Sequence, residues 1–382
     1  MDLNTISKNY PTPFYWYDLG LLRRTLEACQ KSSNELGYQV HYAMKANFNP
    51  KILEEIKRFG FGVDCVSGGE IRLALETGFH PKDLVFAGVG KTDEEIIFAL
   101  EKEIFCFNVE SFQELEIIEE LARGLDKKAS IALRINPNID AGTHHYITTG
   151  LSENKFGIPS SSFGDVFSLL RKAKHLNFIG LHFHIGSLIQ DMEVFKNLCL
   201  KVNHLIQVFE NEGLYIQILN LGGGLGIDYY EPELNPIPNF ESYFQVFNRF
   251  LEIKPHQKLH FELGRSLVGQ SGNLITRVTY LKKGIQTSFL IVDAGMNNLL
   301  RPSLYQAYHH VENLTKAGFD GPKETYDLVG PICESGDFFR KSLNLPETER
   351  GDLLKIHSAG AYGEVMSSNY NLRGLAPSYY SE

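Results

Sequence analysis

The sequence has few cysteines, no excess of basic residues and no long apolar run. Its five cysteines are scattered, odd in number and free of any Cys-x-x-Cys spacing. This pattern argues against both a disulfide framework and a zinc site. It fits a protein of the reducing cytoplasm.

The charge balance and the absence of apolar runs also exclude some partners. Lysine and arginine number 37 against 46 acidic residues, a net charge of −9, so there is no electrostatic reason to expect nucleic acid or an anionic membrane. No apolar run approaches the roughly 18 residues of a membrane span, and the first residues lack a basic-then-apolar signal pattern. We expect a cytoplasmic protein that acts on small molecules.

The sequence does contain a regular alternation of strand-like and helix-like segments. Helix-like segments such as Pro50–Phe59 and Met192–Glu212 separate most of the strand-like runs. The strand-like runs are 40–45, 61–66, 83–88, 104–109, 129–136, 176–185, 214–221 and 258–263. Such alternation predicts right-handed crossovers and a parallel sheet, and eight strands favour a closed (β/α)8 barrel. We assign this α/β barrel domain to residues 20–265.

After Arg265 the helical period stops. Short strand-like runs, broken by Gly, Asn and Pro, follow at 274–280, 288–293, 326–329 and 353–357. They predict a second, mostly β domain made of residues 1–19 and 266–382, with the strand-like run Phe14–Tyr17 as a candidate strand of its sheet. The stretch from Glu312 to Glu324 has no strong period and is interpreted as a surface loop.

A lysine follows the first strand-like run, in His41-Tyr-Ala-Met-Lys-Ala-Asn-Phe-Asn-Pro50. The period-two alternation places Lys45 at the carboxyl end of a strand, before a helix begins at Pro50. An ammonium on a buried strand is costly to desolvate, so it needs a partner, a lowered pKa or a covalent use as an imine. A lone lysine more commonly extends to the surface. The imine interpretation therefore needs a phosphate site, a carboxylate for a ring nitrogen and a proton donor.

A glycine-rich segment could provide the phosphate site. Gly222-Gly-Gly-Leu-Gly226 follows the seventh strand-like run, where many barrels bind phosphate through backbone N–H groups. Arg265, Ser187 and Tyr362 could add charge-assisted and hydroxyl hydrogen bonds. A turn without a ligand explains the glycines equally well.

Glu262 could provide the carboxylate. It lies in the eighth strand-like run among apolar residues, and it could pair with Arg265 or face the nitrogen of a pyridine ring and keep that ring protonated. His184 is suited to stack on such a ring. A zinc pair of His182 and His184 is the weaker alternative, because a third ligand at convincing spacing is missing.

Segments spread from about Pro11 to about Arg373 together resemble the diaminopimelate decarboxylases, an alanine-racemase-fold (fold type III) family of pyridoxal-phosphate enzymes. The segments are Tyr42-Ala-Met-Lys-Ala-Asn47, His182-Phe-His-Ile-Gly-Ser187, Gly222-Gly-Gly-Leu-Gly226, Glu262-Leu-Gly-Arg265, Asp293-Ala-Gly-Met-Asn-Asn-Leu-Leu-Arg-Pro302, Cys333-Glu-Ser-Gly-Asp337 and Gly360-Ala-Tyr-Gly363.

This resemblance implies pyridoxal 5′-phosphate bound covalently to Lys45, and it implies roles for other residues. Lys45, Cys333, His184 and Glu262 match the catalytic positions, with Cys333 as proton donor. Positions matched to cofactor contacts are Lys45, Asp64, His184, Ser187, Gly222, Gly223, Gly224, Gly226, Glu262, Leu263, Gly264, Arg265 and Tyr362. Positions matched to substrate contacts are Arg265, Arg301, Tyr305, Glu334 and Tyr362. In this family the Cys-Glu loop reaches into the neighbouring subunit's site, which implies a homodimer with shared active sites.

The implied reaction is decarboxylation of meso-2,6-diaminopimelate to L-lysine, the last step of lysine biosynthesis. A decarboxylase of another basic amino acid, such as ornithine, arginine or carboxynorspermidine, is the main alternative, because it would share the cofactor residues. A racemase of the same fold would favour a cation at the ring nitrogen over Glu262. A binding protein without cofactor would not need Lys45, Glu262 and Cys333 together.

Arg301 is the residue that bears most on substrate choice. Its planar guanidinium could grip the distal carboxylate that distinguishes diaminopimelate from lysine and ornithine. An isolated arginine in front of Pro302 could also form no more than a surface ion pair.

Overall fold

The structure, a computed structural model, describes residues 10–139, 154–319 and 321–381. These residues form two compact units. The barrel unit comprises the described parts of Leu26–Gly226 and Asn239–Leu267, and the β unit comprises those of Met1–Thr25, Ile227–Pro238 and Val268–Glu382. The β unit is therefore built from three separate stretches of the chain.

Strands and helices are numbered here along the chain. The strands are β1 Phe14–Tyr17, β2 Gln39–Ala43, β3 Gly62–Cys65, β4 Leu84–Phe86, β5 Cys106–Val109, β6 Ala129–Arg134, β7 Leu176–His182, β8 Ile218–Asn220, β9 Lys258–Leu263, β10 Gly272–Lys283, β11 Ser288–Val292, β12 Val311–Asn313, β13 Lys323–Val329, β14 Phe338–Pro346, β15 Leu353–Ile356 and β16 Ser378–Tyr380. The α-helices are α1 Leu19–Asn34, α2 Pro50–Arg58, α3 Gly68–Glu76, α4 Asp93–Lys102, α5 Phe112–Gly124, α6 Phe163–Lys172, α7 Met192–Asn211, α8 Phe240–Phe250, α9 Arg265–Val268 and α10 Arg301–Tyr305. Among the helices that the structure describes, none has both the length and the apolar content needed to cross a membrane.

Strands β2 to β9 form a closed barrel in chain order, and each neighbouring pair is parallel. The barrel closes where β9 pairs with β2, from Gln39 opposite His260 to Tyr42 opposite Leu263. The (β/α)8 barrel predicted from the alternation is confirmed. Because all eight strands are parallel, their carboxyl ends share one rim, and the side chains that follow them converge there.

Helix α8 illustrates how the sequence fixes a helix to the outside of the barrel. The Asn239 side chain accepts a hydrogen bond from the Ser242 N–H at 2.9 Å and starts the helix. Tyr243, Phe244 and Phe247 then recur at helical spacing and pack on Phe261 of β9, with ring centroids 4.9 to 5.8 Å apart. Burying one such ring stabilises the fold by roughly 1.5–3 kcal/mol.

The β unit contains a mixed sheet with the strand order β12-β15-β10-β11-β13-β14. Strand β1 pairs antiparallel with β10 and parallel with β16, so the two ends of the described chain lie side by side. A core of Phe14, Trp16, Ile275, Leu314 and Leu353 packs on this sheet. The predicted second, mostly β domain is confirmed.

Three strands of the β unit, β12, β14 and β16, were not predicted, and for β12 and β14 the reason is too little apolar alternation. Strands β12 and β14 lie at the two ends of the sheet order, and β14 exposes Lys341, Ser342 and Asn344. Polar and charged residues are common on such edge strands because one side faces water. The predicted surface loop from Glu312 to Glu324 is wrong at both ends, since it begins inside β12 and ends inside β13.

Two buried histidines face each other between β2 and β9. His41 Nε2 lies 2.9 Å from His260 Nδ1, and His41 Nδ1 lies 3.3 Å from the Asp83 carbonyl oxygen. Burial lowers the pKa of both rings, and burial together with the repulsion that two protonated rings would exert on each other brings the pKa of His260 from 6.5 to about 3. Both rings are therefore neutral in the folded barrel at neutral pH.

This pair predicts how stability depends on pH. The unfolded chain takes up a proton at residue 260 below pH 6.5, whereas the folded barrel does so only near pH 3. The unfolded state thus binds more protons in this window, so stability rises with pH there, by at most about 1.4 kcal/mol per pH unit for each such histidine. His260→Gln should flatten the slope of urea-unfolding free energy against pH by about that amount between pH 4.5 and 6. The matched control is His256→Gln, which removes an exposed histidine. A His260→Gln slope equal to that of the wild type would contradict the prediction.

Candidate active site

Lys45 follows strand β2 directly. The strand ends at Ala43, and Lys45 is the middle residue of a short 3-10 turn, Met44–Ala46, whose other two residues are buried. Its side chain is 39% exposed, and its Nζ lies 3.8 Å from Oδ2 of Asp64, at the end of the neighbouring strand β3. The amine is therefore positioned at the rim, within reach of solvent and of one buried carboxyl group.

Glu262 is a buried charged group at this rim with hydrogen-bond partners on both carboxylate oxygens. Its carboxylate is 5% exposed and is held by three side chains from three other strands. The amides of Asn108 and Asn220 donate to Oε1 at 2.9 and 2.7 Å, and His182 Nε2 lies 2.9 Å from Oε2. Burial opposes ionisation, but His182, His184 and Lys45 outweigh it and keep the pKa of the carboxyl well below its usual range. Glu262 is thus a buried carboxylate that remains charged.

Asp64 behaves in the opposite way. Burial raises the pKa of its carboxyl, and the charge of Glu262 raises it further, while Lys45 lowers it only in part. The pKa values of these two carboxyl groups therefore shift in opposite directions: Glu262 stays ionised, whereas Asp64 more readily holds a proton. Such a pair is typical of sites that handle protons.

His184 presents a neutral imidazole at the same rim. Burial lowers the pKa of its ring well below the usual value, and the cations of Lys45 and Arg134 lower it further. Nδ1 accepts a hydrogen bond from the Gly223 N–H at 3.3 Å, which fixes the ring against the glycine-rich segment. A neutral, fixed imidazole is suited to pack on a flat ligand.

The glycine-rich segment after β8 has no room for side chains. A Cβ on Gly223 would lie 2.0 Å from the Glu262 carbonyl oxygen, and one on Gly222, whose φ is +68°, would lie 2.3 Å from the Phe183 carbonyl oxygen. The Gly222 N–H donates to Asn220 Oδ1 at 3.0 Å. Asn220 therefore connects the glycine backbone to Glu262.

Arg265 and Ser187 meet beside this segment. The buried guanidinium of Arg265 donates from Nε and Nη2 to the Ser187 hydroxyl at 3.2 and 3.1 Å. Leu263 and Gly264 connect Arg265 to Glu262 along the chain. A Cβ on Gly264 would lie 3.1 Å from the Cβ atoms of Ala43 and Ala46, so the turn carrying Lys45 packs against Gly264. The structure thus brings together all of the cofactor residues predicted within the barrel unit.

Other residues of the rim were not predicted to have a role. Asn108 and Asn220 were missed, and His182 was considered only as a zinc ligand.

Arg134 Nη1 pairs with Glu110 Oε1 at 2.5 Å, and Glu110 also accepts from the backbone N–H groups of Gly88 and Gly157. Nothing in the local sequence around Arg134 or Glu110 indicates that these two side chains pair.

Comparisons with known proteins agree with this geometry. The family model described as "Pyridoxal-dependent decarboxylase, pyridoxal binding domain" matches residues 19–269. The chain is 53% identical to the diaminopimelate decarboxylase of Bacteroides thetaiotaomicron, over 97% of this chain and 96% of that protein. It is 41% identical to that of Aquifex aeolicus, over 98% and 88%. The crystal structure of diaminopimelate decarboxylase from Helicobacter pylori complexed with L-lysine is similar, with a TM-score of 0.93, 40% identity and coverage of 100% of this chain and 94% of that chain.

The chain belongs to the diaminopimelate decarboxylase family.

The residues of the barrel unit fit the cofactor of this family. An aldehyde carbon can bond to the amine of Lys45, a pyridine nitrogen is matched by the charged Glu262, and a phosphate is matched by Arg265, Ser187 and glycines that cannot carry a Cβ. His184 provides a flat neutral ring. Pyridoxal 5′-phosphate is therefore chemically compatible with every side chain placed at the rim.

The remaining family positions lie in the β unit. Cys333 and Glu334 are exposed on the loop between β13 and β14. The buried Asp337 shapes this loop by accepting the N–H groups of Ile332 and Met296 at 2.7 and 2.6 Å. Asn371 Oδ1 accepts the Cys333 N–H at 2.8 Å. The thiol is thus presented on a hydrogen-bonded loop.

Arg301, Tyr305 and Tyr362 complete the family positions in the β unit. Arg301 is 3% exposed, so the alternative of a surface ion pair is wrong. Tyr305 is partly buried at the end of α10. Tyr362 is partly buried too and has φ +56°, an uncommon conformation for a residue other than glycine.

The double role of Asn220 leads to a prediction about cofactor affinity. Asn220→Ala removes both the donor to Glu262 and the acceptor for the Gly222 N–H, whereas Asn108→Ala removes only a donor. We expect Asn220→Ala to weaken pyridoxal phosphate binding about 10- to 100-fold and Asn108→Ala by less, because each buried group left unsatisfied costs roughly 1–3 kcal/mol. Absorbance titration of the dialysed protein measures this. Asn177→Ala, in the exposed start of β7, is the control. Equal affinities of the Asn220→Ala and Asn177→Ala variants for pyridoxal phosphate would refute the role of Asn220 in cofactor binding.

Proposed function

We propose that this chain catalyses the decarboxylation of meso-2,6-diaminopimelate to L-lysine and carbon dioxide, the last step of lysine biosynthesis, with pyridoxal 5′-phosphate. The observation that carries the proposal is Glu262, a carboxylate kept charged in a buried site at the rim that also holds Lys45. A carboxylate facing a pyridine nitrogen favours loss of carbon dioxide over racemisation, because it keeps the ring a strong electron acceptor.

The contacts of the barrel residues support the following roles, and the family resemblance adds Tyr362 of the β unit to them. Lys45 would hold the cofactor covalently, His184 would stack on its ring, and Asp64 would lie among its polar contacts. The phosphate would be held by Ser187, Gly222, Gly223, Gly224, Gly226, Gly264, Arg265 and Tyr362, with Leu263 in contact. When bound, the cofactor supplies a ring that accepts the electrons of the breaking bond between the α-carbon and its carboxylate.

Proton transfer is assigned to groups of this chain. Glu262 would keep a proton at the ring nitrogen of the bound cofactor, which its own negative charge favours. Cys333 Sγ or Lys45 Nζ then delivers a proton to the α-carbon of the substrate. The exposure of Cys333 on its loop fits a thiol that acts on a ligand rather than one that packs in a core.

Substrate binding is assigned to Arg265, Arg301, Tyr305, Glu334 and Tyr362. Diaminopimelate carries a second amino-acid head, so a selective site needs a cation for the distal carboxylate and an anion for the distal ammonium. Arg301 and Glu334 provide these charges. The L-lysine bound to the Helicobacter pylori enzyme corresponds to the product of this reaction.

The test is a comparison of candidate substrates. The protein reconstituted with pyridoxal phosphate should release carbon dioxide from meso-diaminopimelate with a kcat/KM on the order of a thousandfold above that for L-ornithine, L-lysine or L-arginine, because those substrates leave the buried Arg301 without its carboxylate. Lys45→Ala should lose both turnover and the borohydride-reducible absorbance. Preference for ornithine or arginine would show instead a decarboxylase of another basic amino acid.

The proposal also includes a cytoplasmic homodimer in which Cys333 and Glu334 of one subunit complete the site of the other. If Cys333 is the proton donor, Lys45→Ala and Cys333→Ala are each inactive alone and should regain about a quarter of wild-type activity after mixing, since half of the dimers are mixed and each mixed dimer has one intact site. Differently tagged subunits demonstrate that exchange has occurred. Subunit exchange without recovery of activity would contradict the proposal of a shared active site.

A further inference from the structure

The guanidinium of Arg301 is fixed in plane and direction by its neighbours in the β unit. Its Nη1 lies 2.9 Å from the Tyr229 hydroxyl and 2.8 Å from His309 Nε2. Its Cζ lies 4.9 Å from the centroid of the Tyr229 ring, so the planar group packs on an aromatic face. Tyr229 and His309 are buried as well. Contacts at one nitrogen and on one face leave a planar group little freedom to rotate.

The hydrogen positions on His309 follow from its second partner. Its Nδ1 lies 2.7 Å from the carbonyl oxygen of His357. A carbonyl has no hydrogen to give, so Nδ1 carries one and donates it. Nε2 is then the lone-pair side of a neutral imidazole, and it accepts from Arg301 Nη1. A proton on Nε2 would set an N–H group against the arginine N–H and break the contact.

Pairing of strands β12 and β15 determines the position of His309. Strands β12 and β15 are antiparallel, with Val311 opposite Ile356, and the His357 N–H donates to the His310 carbonyl at 2.9 Å. The residue before His310 is thereby placed beside the His357 carbonyl. Tyr229 lies in the stretch Ile227–Pro238, which belongs to the β unit. Tyr229, 72 residues away in sequence, and His309, 8 residues away, therefore meet at one guanidinium.

We propose that His309 is a positioning residue for substrate choice, which orients Arg301 toward the distal carboxylate of the substrate. The inference rests on the proposed function, because that function makes Arg301 the carboxylate-binding group. His309 acts through Arg301. Its loss should weaken substrate binding more than it slows the chemical step, since the distal carboxylate is remote from the bond that breaks.

The experiment compares His309→Leu, His309→Gln and the neighbouring control His310→Leu in the holoenzyme. His309→Leu should raise KM for meso-diaminopimelate about 10- to 100-fold and change kcat less than about threefold. His309→Gln should stay within about fivefold of the wild-type KM, because an amide offers both the acceptor and the donor that the imidazole provides. The cofactor absorbance should be unchanged in all three. Wild-type KM in His309→Leu would overturn the proposal, as would equal rises of KM in the His309→Leu and His310→Leu variants.

A double-mutant cycle separates positioning from general structural damage. Arg301→Leu should lower kcat/KM on the order of a thousandfold, and His309→Leu in that background should add less than about threefold, since its partner is already gone. Additive losses would overturn the proposal. If His309→Leu does not fold, His309→Asn takes its place, as its shorter side chain cannot span Arg301 and the His357 carbonyl and should raise KM in the same way. If wild type and His310→Leu both fail to turn over meso-diaminopimelate, the proposed function fails first and this inference falls with it.

Discussion

The barrel rim depends on keeping one carboxylate charged where water is excluded. An isolated buried carboxylate would take up a proton, because ionisation without solvent costs several kcal/mol. Glu262 avoids this through donors on β5, β7 and β8, so the charge is maintained by the barrel as a whole rather than by its own strand. The charge of Glu262 also raises the pKa of Asp64. The ring of His184 stays neutral for a different reason, because burial and the cations of Lys45 and Arg134 outweigh the effect of Glu262 on its pKa.

Much of the barrel could be predicted from the sequence, because alternation of strand-like and helix-like segments is a local pattern. Lys45, the glycine-rich segment and Glu262 could also be identified, since each is a conspicuous residue type at a strand end. The partners of Glu262 could not. Asn108 and Asn220 are 154 and 42 residues away from it, and nothing in an asparagine's local sequence indicates which distant carboxylate its amide will meet.

The β unit was harder to predict, for a related reason. Its sheet order joins strands from distant parts of the chain, and its edge strands β12 and β14 lack a clear apolar period. Burial of Arg301 was likewise invisible, because an arginine before a proline has no local mark of being enclosed. Its enclosure requires Tyr229 and His309, and pairing of β12 with β15 brings the latter into place. Long-range register, rather than composition, determines this part of the molecule.

Pairing of β1 with β10 and β16 has a consequence for biosynthesis on the ribosome. All strands of the barrel lie between Gln39 and Leu263, so that sheet can close while later codons are still being translated. Strand β1 precedes all the barrel strands, whereas its partner β10 follows them and its other partner β16 is the last strand that the structure describes. Its aromatic residues Phe14 to Tyr17 therefore lack a partner strand until the whole barrel has been translated, and exposed apolar segments of this kind favour aggregation of a nascent chain.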